Sequence, residues 1–508
     1  MRILLVFAML LPLWGAPPKP KQARMKADLE YLTSKELAGR ASLTPGSKVA
    51  AGYVAKEFAK AGIVSASSGS YFQEFELTAN TLDAAKSGLT FGALQLTATE
   101  AFTGGFHKNI TVAGAAVFAG YGISAPEYGY DDYAGIDVKG KIVLVLDREP
   151  QEDLATSVFL GKGLTRYGST RAKLFNAQAR GAIGLVVLPS AASTYVTGQP
   201  ASPTRGNAAR QMDDGIQIPI ITLRALAADQ LLPNRVGLQQ QIDQKLINVS
   251  VELPFPLEIR LEHSAFHKDK SWNVVGILEG SDKKLKAETV LVTSHYDHLP
   301  ERGGNYYPGA NDNASGTVAV IELARMFGKL HRRPKRSIVF VSFGSEENGL
   351  LGSYYYVAHP LRPLTTTRAV INLDMIARDE AHTSGTQGKL TIAADSSMVM
   401  NLAGAAYSPD FAEMIEKANK ATKFTIDTKF DRDSTQTVLY RCDHYPFLLA
   451  NVPAIWIFGG FHPGYHQPVD TVDKLNFTKL DKVVQLSFQT AVGIGNTARP
   501  PEFVKVAK

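Results

Sequence analysis

The sequence predicts an α/β protein with a mostly parallel central sheet and a β-rich insertion in its first half. From about residue 271 onward, short apolar runs alternate with segments of helical periodicity, which is typical of a parallel sheet covered by helices. Between about residues 72 and 262, the sequence instead consists of short runs rich in Gly, Thr and Val. The chain has 508 residues, which is too long for one hydrophobic core, so we expect more than one domain.

The individual elements follow from the spacing of apolar residues. Residues 23–63 have helical spacing that is interrupted by a turn signal at 44–46. In the middle of the chain, the strand candidates 141–146 and 183–188 flank a predicted helix at 171–180. In the second half, the strand candidates are 273–278, 289–293, 337–342, 369–373 and 454–458, and the helix candidates are 316–330, 352–359, 411–420 and 477–494.

The first residues predict a signal peptide at 1–16, so we expect export to the periplasm or the extracellular space. Arg2 precedes an apolar run at 3–13, Trp14 and the small residues Gly15 and Ala16 follow, and prolines come directly after them. This run is too short to cross a bilayer as a helix, and no other apolar run approaches about 20 residues. No stable membrane insertion is therefore expected.

Composition excludes several classes of protein. Cys442 is the only cysteine, which excludes an intramolecular disulfide and a cysteine-rich metal site. The formal net charge is only +6, and the one dense basic cluster, at 331–336, lies between a predicted helix and a predicted strand. We interpret this cluster as a solvated turn and expect no nucleic-acid partner. The sequence gives no indication of the oligomeric state.

Acidic and imidazole side chains occur at five places at or soon after the predicted strands of the second half. These segments are 294–298, 308–316, 343–349, 374–375 and 459–466. Each alone has an ordinary interpretation as a hydrogen-bonded His, a helix cap or a solvated Glu pair. Together they would meet at one edge of the sheet, where sites of such folds form. His and carboxylate ligands without cysteine fit zinc or a similar divalent ion, and an adjacent free carboxylate can serve as a general base.

Five motifs carry a resemblance to a known family: HYD at 295–297, GANDNASG at 309–316, SEENG at 345–349, NLDM at 372–375 and GYH at 464–466. Their order and spacing closely resemble the bacterial-leucyl-aminopeptidase type of di-zinc exopeptidases, a group that includes glutamate carboxypeptidase and the transferrin receptor. The resemblance covers roughly residues 271–498 and the N-terminal helices, and it implies a three-layer α/β/α peptidase domain. Residues 133–188 also resemble a protease-associated (PA) domain.

The resemblance implies a domain organisation and a role for each matching residue. The implied parts are the signal peptide at 1–16, peptidase helices at 23–76, an inserted PA-like domain at 77–263 and the di-zinc catalytic domain at 264–508. The implied ligands of two zinc ions are His295, Asp312 as the bridging carboxylate, Glu347, Asp374 and His466. Glu346 resembles the general base, Asp297 the carboxylate that holds the His295 imidazole, and Tyr465 a group that stabilises an oxyanion. For His444, both a role beside the substrate and a purely structural role are open.

The implied activity is hydrolysis of peptide or protein substrates at chain ends, with release of N-terminal residues favoured. A carboxypeptidase or dipeptidase on the same scaffold is the first alternative, and it would need a cation such as Arg378 or Arg441 to bind a substrate carboxylate. A non-catalytic, receptor-like protein would lack ligands, whereas every ligand position is filled here. A glutaminyl-cyclase-like transferase is a third alternative, which the full two-metal set disfavours. The sequence does not indicate the preferred terminal residue.

Overall fold

The computed structural model describes residues 18–67, 69–191, 209–211 and 215–506, so the expected signal peptide lies outside the described residues. The N-terminal elements are helices α1 (Gln22–Leu32) and α2 (Pro45–Lys60) and strands β1 (Val64–Ser65) and β2 (Phe72–Leu82). The break between the two helices falls at the predicted turn, where Pro45 occupies the first turn of α2. Among the described residues, no helix is both long enough and apolar enough to cross a membrane.

The middle of the chain forms a second sheet of its own. The elements of this region of the chain are β3 (Gly88–Phe91), β4 (Leu94–Thr97), α3 (Ala98–Ala101), β5 (Phe102–Gly105), β6 (Ile110–Phe118), β7 (Ser124–Ala125), β8 (Tyr130–Asp131), β9 (Ile142–Leu146), α4 (Thr170–Ala179), β10 (Gly184–Leu188), β11 (Ala209–Gln211), β12 (Ile220–Leu223), α5 (Ala225–Leu231), α6 (Arg235–Lys245) and β13 (Val251–Leu261). Within the described residues, the strand order is β4-β3-β13-β6-β9-β10-β12-β5. The strand–helix–strand unit predicted for this region is β9, α4 and β10.

The second half contains the alternating strands and helices that the sequence predicts, together with elements at 399–403, 425–427 and 445–449 that it does not predict. They are β14 (His263–Leu278), β15 (Thr289–His295), α7 (Gly316–Gly328), β16 (Ser337–Phe343), α8 (Leu351–Ala358), β17 (Thr367–Asp374), β18 (Val399–Ala403), α9 (Pro409–Asn419), β19 (Thr425–Asp427), α10 (Tyr445–Leu449), β20 (Ala454–Phe458) and α11 (Phe477–Asn496). The central sheet of the described residues has the order β11-β2-β14-β16-β15-β17-β20-β18-β19, and β1 pairs with β14.

The centre of this sheet is parallel and its margins are antiparallel. Strands β16, β15, β17 and β20 run parallel to one another, whereas β14 is antiparallel to β16 and β18 is antiparallel to β20. Helices cover both faces of the sheet. Successive residues of a strand point to opposite faces, so each strand packs against helices on both sides. Val290 and Val292 of β15 pack in the cluster that contains α1, α2, α7, α9 and α11, and Leu291 packs with α8 and α10. The predicted α/β class is confirmed.

Two long strands connect the two sheets. β2 pairs with β14 from Phe72–Val274 to Leu82–His263, so the pair extends beyond the central sheet as a two-stranded ribbon. β3 follows β2 and β13 precedes β14, so the chain leaves and re-enters the peptidase sheet through this ribbon. β11 pairs with β2 at residues 77–79, although its sequence lies within the predicted insertion. The insertion boundaries at 77–263 therefore fall inside paired strands and remain a proposal.

A buried ion network fastens the N-terminal helices to α7. The Arg325 guanidinium contacts Asp28 of α1 and Glu57 of α2, each at 2.6 Å, and Glu322 at 3.4 Å. All three carboxylates are buried. Burial would raise the pKa of Glu57, but hydrogen bonds from Lys60 and Arg325 outweigh this effect and lower it. The network therefore holds charged groups that the interior would otherwise disfavour.

Arg325→Met is expected to lower the thermal midpoint of the peptidase domain, because three buried carboxylates lose their shared counter-charge. Breaking a buried ion pair typically costs about 3–5 kcal/mol. Lys329→Met is the matched control, since Lys329 lies exposed at the end of the same helix. Thermal unfolding followed by circular dichroism measures the effect, and equal midpoints for the two variants would contradict it.

Candidate metal centre

The carboxyl ends of the central strands bring the predicted site residues to one edge of the sheet. β15 ends at His295, β17 ends at Asp374, and the loop after β16 carries Glu346 and Glu347. The loop after β20 carries His466, and Asp312 lies in the irregular segment that precedes α7. Because β15, β16, β17 and β20 are parallel neighbours, their carboxyl ends lie side by side.

Asp312 lies between two imidazoles. Its Oδ1 is 3.5 Å from Nε2 of His295, and its Oδ2 is 3.0 Å from Nε2 of His466. On the first side, Asp374 Oδ1 is also 3.5 Å from Nε2 of His295. On the second side, Glu347 Oε2 is 3.3 Å from Nε2 of His466. The arrangement is therefore two donor sets that share one carboxylate.

The donor atoms of this cluster fit a divalent metal ion. Within the described part of the chain, Nε2 of His295 and Oδ1 of Asp374 are buried and have no hydrogen-bond partner. A buried polar atom without a partner costs about 1–3 kcal/mol. His295, Asp312 and Asp374 each offer one atom within 4.8 Å of the others, and imidazole and carboxylate donors suit zinc. A bound cation would satisfy these atoms.

The negative charge of the buried carboxylates also favours the binding of cations. Burial, together with the negative charges of Glu347, Asp443 and Asp374, raises the pKa of Glu346 well above its usual range. Burial opposes protonation of His295, but the carboxylates of Glu346 and Asp374 outweigh it and raise the pKa of the imidazole well above its usual range. Divalent cations at this place would favour the ionised carboxylates and the neutral imidazole.

His298 belongs to the cluster, although no role was predicted for it from the sequence. Its Nδ1 is 2.8 Å from Glu347 Oε1 and 3.9 Å from Asp312 Oδ2. It forms a second potential metal-binding group with Asp312 and Glu347. The signal for it in the sequence is its position three residues after His295, at the same strand exit.

Cys442 is a second residue of the site that was not predicted from the sequence. Its thiol donates a hydrogen bond to Oδ2 of Asp374 at 2.9 Å and accepts one from Asn372 at 3.0 Å. The thiol is therefore bonded to Oδ2 of Asp374, whereas Oδ1 is the oxygen that lies near His295. Its isolation in the sequence gave no signal of this contact.

Asp297 has a wider set of contacts than the one expected for it. Its carboxylate, predicted to hold the His295 imidazole, has Oδ1 3.7 Å from Nδ1, whereas its main-chain carbonyl is 3.1 Å from the same nitrogen. The carboxylate accepts hydrogen bonds from the main-chain N–H groups of Glu346 at 3.0 Å and Glu347 at 3.4 Å. Burial raises the pKa of Asp297 to about 6, and the charge of His295 acts in the opposite direction. Asp297 thus positions the Glu346–Glu347 loop as well as His295.

The remaining predicted residues lie at the margin of the cluster or behind it. The Tyr465 ring stacks on His466 with 3.9 Å between ring centres, and its hydroxyl accepts a hydrogen bond from Arg441 at 3.0 Å. His444 is fully buried beside Trp456, and burial lowers the pKa of its imidazole to about 3. The packing of this neutral imidazole favours its structural interpretation.

Two buried charged residues support the loops of the centre through main-chain atoms. Oδ2 of Asp470 accepts hydrogen bonds from the N–H groups of Asn311 at 2.9 Å and Asp312 at 3.1 Å. Arg40 donates to the carbonyl groups of Tyr296, Leu32, Pro308 and Gly309 at 2.6–3.1 Å. Asp470 therefore anchors the segment that carries Asp312, and Arg40 fixes the loops that flank it.

Asp470→Ala is expected to weaken the binding of a divalent metal ion, because the Asp312 segment loses its acceptor. Loss of such a supporting group typically lowers metal affinity about 10- to 100-fold. Competition with a chromogenic chelator measures the affinity. Asp470→Asn should retain most of it, since the amide keeps a carbonyl oxygen.

Asp473→Ala is the matched control for this variant, since the Asp473 side chain is 67% exposed and lies three residues away. An unchanged metal affinity in Asp470→Ala would show that the anchor has no effect on the centre.

Two known protein families match parts of this chain. Residues 273–491 match peptidase family M28, and residues 108–231 match the PA domain. Aminopeptidase YwaD of Bacillus subtilis is 25% identical over 410 residues, which are 77% of this chain and 72% of that protein. The probable lipoprotein aminopeptidase LpqL of Mycobacterium tuberculosis is 26% identical over 285 residues, which are 50% of this chain and 52% of that protein.

Among solved structures, an aminopeptidase from Aneurinibacillus sp. strain AM-1 aligns with 96% of this chain and 97% of its own. The sequence identity is 21% and the TM-score is 0.49. The family match confirms the resemblance that the five motifs predict. Residues 273–491 are therefore similar to peptidase family M28, and residues 108–231 are similar to the PA domain.

Proposed function

We propose that the chain is a zinc-dependent aminopeptidase that releases N-terminal residues from peptide or protein substrates and holds two zinc ions. The observation that carries this proposal is the pair of donor sets that share Asp312, with Glu346 beside them. The match of residues 273–491 to peptidase family M28 supports a peptidase, and similar proteins are named aminopeptidases and probable zinc metalloproteases. Export of the chain is supported by the apolar run at 3–13 and remains part of the proposal.

The donor sets suggest how the ligands are divided. We assign His295, Asp312 and Asp374 to one ion, and Asp312, Glu347 and His466 to the other. His298 is assigned to the support of Glu347, because its Nδ1 already contacts that carboxylate at 2.8 Å. In the same way, Cys442 supports Asp374 through its second oxygen.

The side chains around the ions provide the proton transfers. When bound, two zinc ions lower the pKa of a water molecule and polarise the scissile carbonyl group. Glu346 has its Oε2 3.7 Å from Nε2 of His295, so its carboxylate lies beside the donor sets, and we assign it the role of base rather than of ligand. It accepts the proton of the attacking water and passes it to the leaving amine. Its loop is held in place by the hydrogen bonds to Asp297.

Tyr465 is positioned to donate a hydrogen bond to the developing oxyanion. Its hydroxyl oxygen accepts from Arg441, which leaves the O–H hydrogen available for another acceptor. Its ring lies flat against His466, so the hydroxyl is held at the margin of the centre. Such a preorganised donor stabilises the charge that forms in the transition state.

We also propose that the inserted domain at 77–263 restricts access to the centre. Its segment around Thr165 and Arg166 accepts hydrogen bonds from Tyr440 and Tyr445 of the peptidase part at 2.6 and 2.7 Å. Arg171 donates to the carbonyl group of Gly349, which lies in the loop after Glu347. The insertion is therefore packed directly beside the catalytic loop.

Glu346→Gln is expected to lower kcat at least about 100-fold while leaving metal content near that of the wild type, because the amide keeps the shape of the side chain but cannot accept a proton. Elemental analysis should find about two zinc ions per chain in both proteins, as the two donor sets require. His295→Ala should lose metal as well as activity. Glu301→Gln, an exposed residue, is the control. A Glu346→Gln enzyme that keeps most of its kcat would exclude Glu346 as the base.

Acetylation of the amino terminus of a good substrate is expected to lower kcat/KM at least about 100-fold, because an aminopeptidase site leaves its recognition groups unpaired with a blocked substrate. The measurement compares a peptide amide with its N-acetyl form. Equal cleavage of both forms, combined with loss of cleavage when the carboxyl end is amidated, would identify a carboxypeptidase instead.

A further inference from the structure

Among the proposed ligand side chains of the candidate metal centre, His466 is the most exposed to solvent. His295 and Asp297 are 1% and 0% exposed, and His298 is 0% exposed. His466, in contrast, is 32% exposed, and the neighbouring Tyr465 is partly exposed. The side of the centre that Tyr465 and His466 form is therefore accessible to a substrate.

Arg441 lies at this opening and has no carboxylate partner. Its Nη2 donates to the hydroxyl group of Tyr465, and its Nη1 lies 3.4 Å from the carbonyl oxygen of Gln436. Its guanidinium carbon is 5.0 Å from the ring centre of Phe461 and 5.7 Å from that of Tyr465. Among the described residues, no Asp or Glu oxygen lies within the 4.0 Å of an ion pair. Arg378, another arginine near the centre, differs because it faces Asp470 at 3.8 Å.

These contacts make Arg441 a fixed and incompletely used donor. The two aromatic rings and the Tyr465 hydroxyl restrict its orientation, which lowers the entropy lost when it binds a ligand. A guanidinium carries five N–H donors, and the contacts above use only part of them. A carboxylate is the group that matches its planar fork, because two parallel hydrogen bonds can form.

We propose that Arg441 is a substrate-binding residue that takes a carboxylate of the substrate near the scissile bond. Arg441 contacts the Tyr465 hydroxyl group, the Tyr465 ring stacks on His466 with 3.9 Å between ring centres, and an extended peptide advances about 3.3–3.6 Å per residue. The carboxylate therefore belongs to the first residues of the substrate. It is either an acidic side chain or the free carboxyl end of a dipeptide or tripeptide. This inference rests on the proposed peptidase function and names a substrate class for it.

The test uses pairs of substrates that differ only in one carboxylate. One pair is Leu-Gly-Gly and its amide, and the other is Leu-Glu-Gly amide and Leu-Gln-Gly amide. In the wild type, the carboxylate form of at least one pair should have a kcat/KM about 10-fold higher, mainly through KM. The pair that shows the preference identifies the source of the carboxylate.

In Arg441→Met this ratio should fall to about 1 whatever the absolute activity, and Arg441→Lys should restore part of it. Arg302→Met, which removes an exposed arginine of a neighbouring loop, should keep the wild-type ratio. A purely structural role of Arg441 would change the activity on both members of a pair equally. A wild-type ratio near 1 for both pairs, or a ratio that survives in Arg441→Met, overturns the inference while hydrolysis of the amides still supports the proposed function.

Calorimetric binding of the same pairs to the Glu346→Gln protein provides a readout that does not depend on turnover. The carboxylate forms should bind about 10-fold more tightly, and this difference should vanish when Arg441→Met is added. Equal binding of both forms overturns the inference. If no substrate is hydrolysed by the wild type, the proposed function fails, and the binding result still decides whether Arg441 recognises a carboxylate.

Discussion

Several carboxylates buried within a few ångströms of one another are the constraint on which the rest of the structure depends. Like charges in a poorly solvated place repel strongly, so each must be balanced or protonated. Part of the balance comes from the imidazoles: burial opposes ionisation of Glu347, but His466 and His298 outweigh it and lower its pKa well below the usual range. Glu346 has no such hydrogen-bonded imidazole, and burial raises its pKa. The centre thus has more negative charge than its own imidazoles can balance, which is the electrostatic condition for binding divalent cations.

Such a centre needs a scaffold that holds its groups against their mutual repulsion without cancelling their charge. The parallel strands supply the first part of that scaffold, because their carboxyl ends fix the positions of His295 and Asp374. Arg40 and Asp470 supply the second part, and both bond to main-chain groups rather than to the side chains of the proposed ligands. Main-chain carbonyl and N–H groups carry no full charge. The loops are therefore fixed while the ligand carboxylates remain free to bind cations.

The sequence predicted those parts of the fold that have a local signal. The parallel strands are buried on both faces and consist of continuous apolar runs, so β15, β16, β17 and β20 were visible. The ribbon of β2 and β14 was not, because residues 264–270 are exposed on both faces and show no apolar alternation. Arg40 and Asp470 were also missed: Arg40 bonds to Gly309, 269 residues away, and no local pattern encodes such a contact. The motif residues were found because their order and spacing, rather than any single residue, carry the information.

The segment at 440–445 contacts three parts of the molecule that lie far apart in the sequence. Tyr440 and Tyr445 bond to the inserted domain, and Arg441 bonds to Tyr465 at the opening of the centre. Between them, Cys442 bonds to Asp374. Since all these side chains leave one short stretch of main chain, a shift of the insertion would also move the group that orients Asp374. The insertion therefore packs against the segment that orients Asp374, and we expect its removal to disturb the candidate metal centre as well as the proposed path of the substrate.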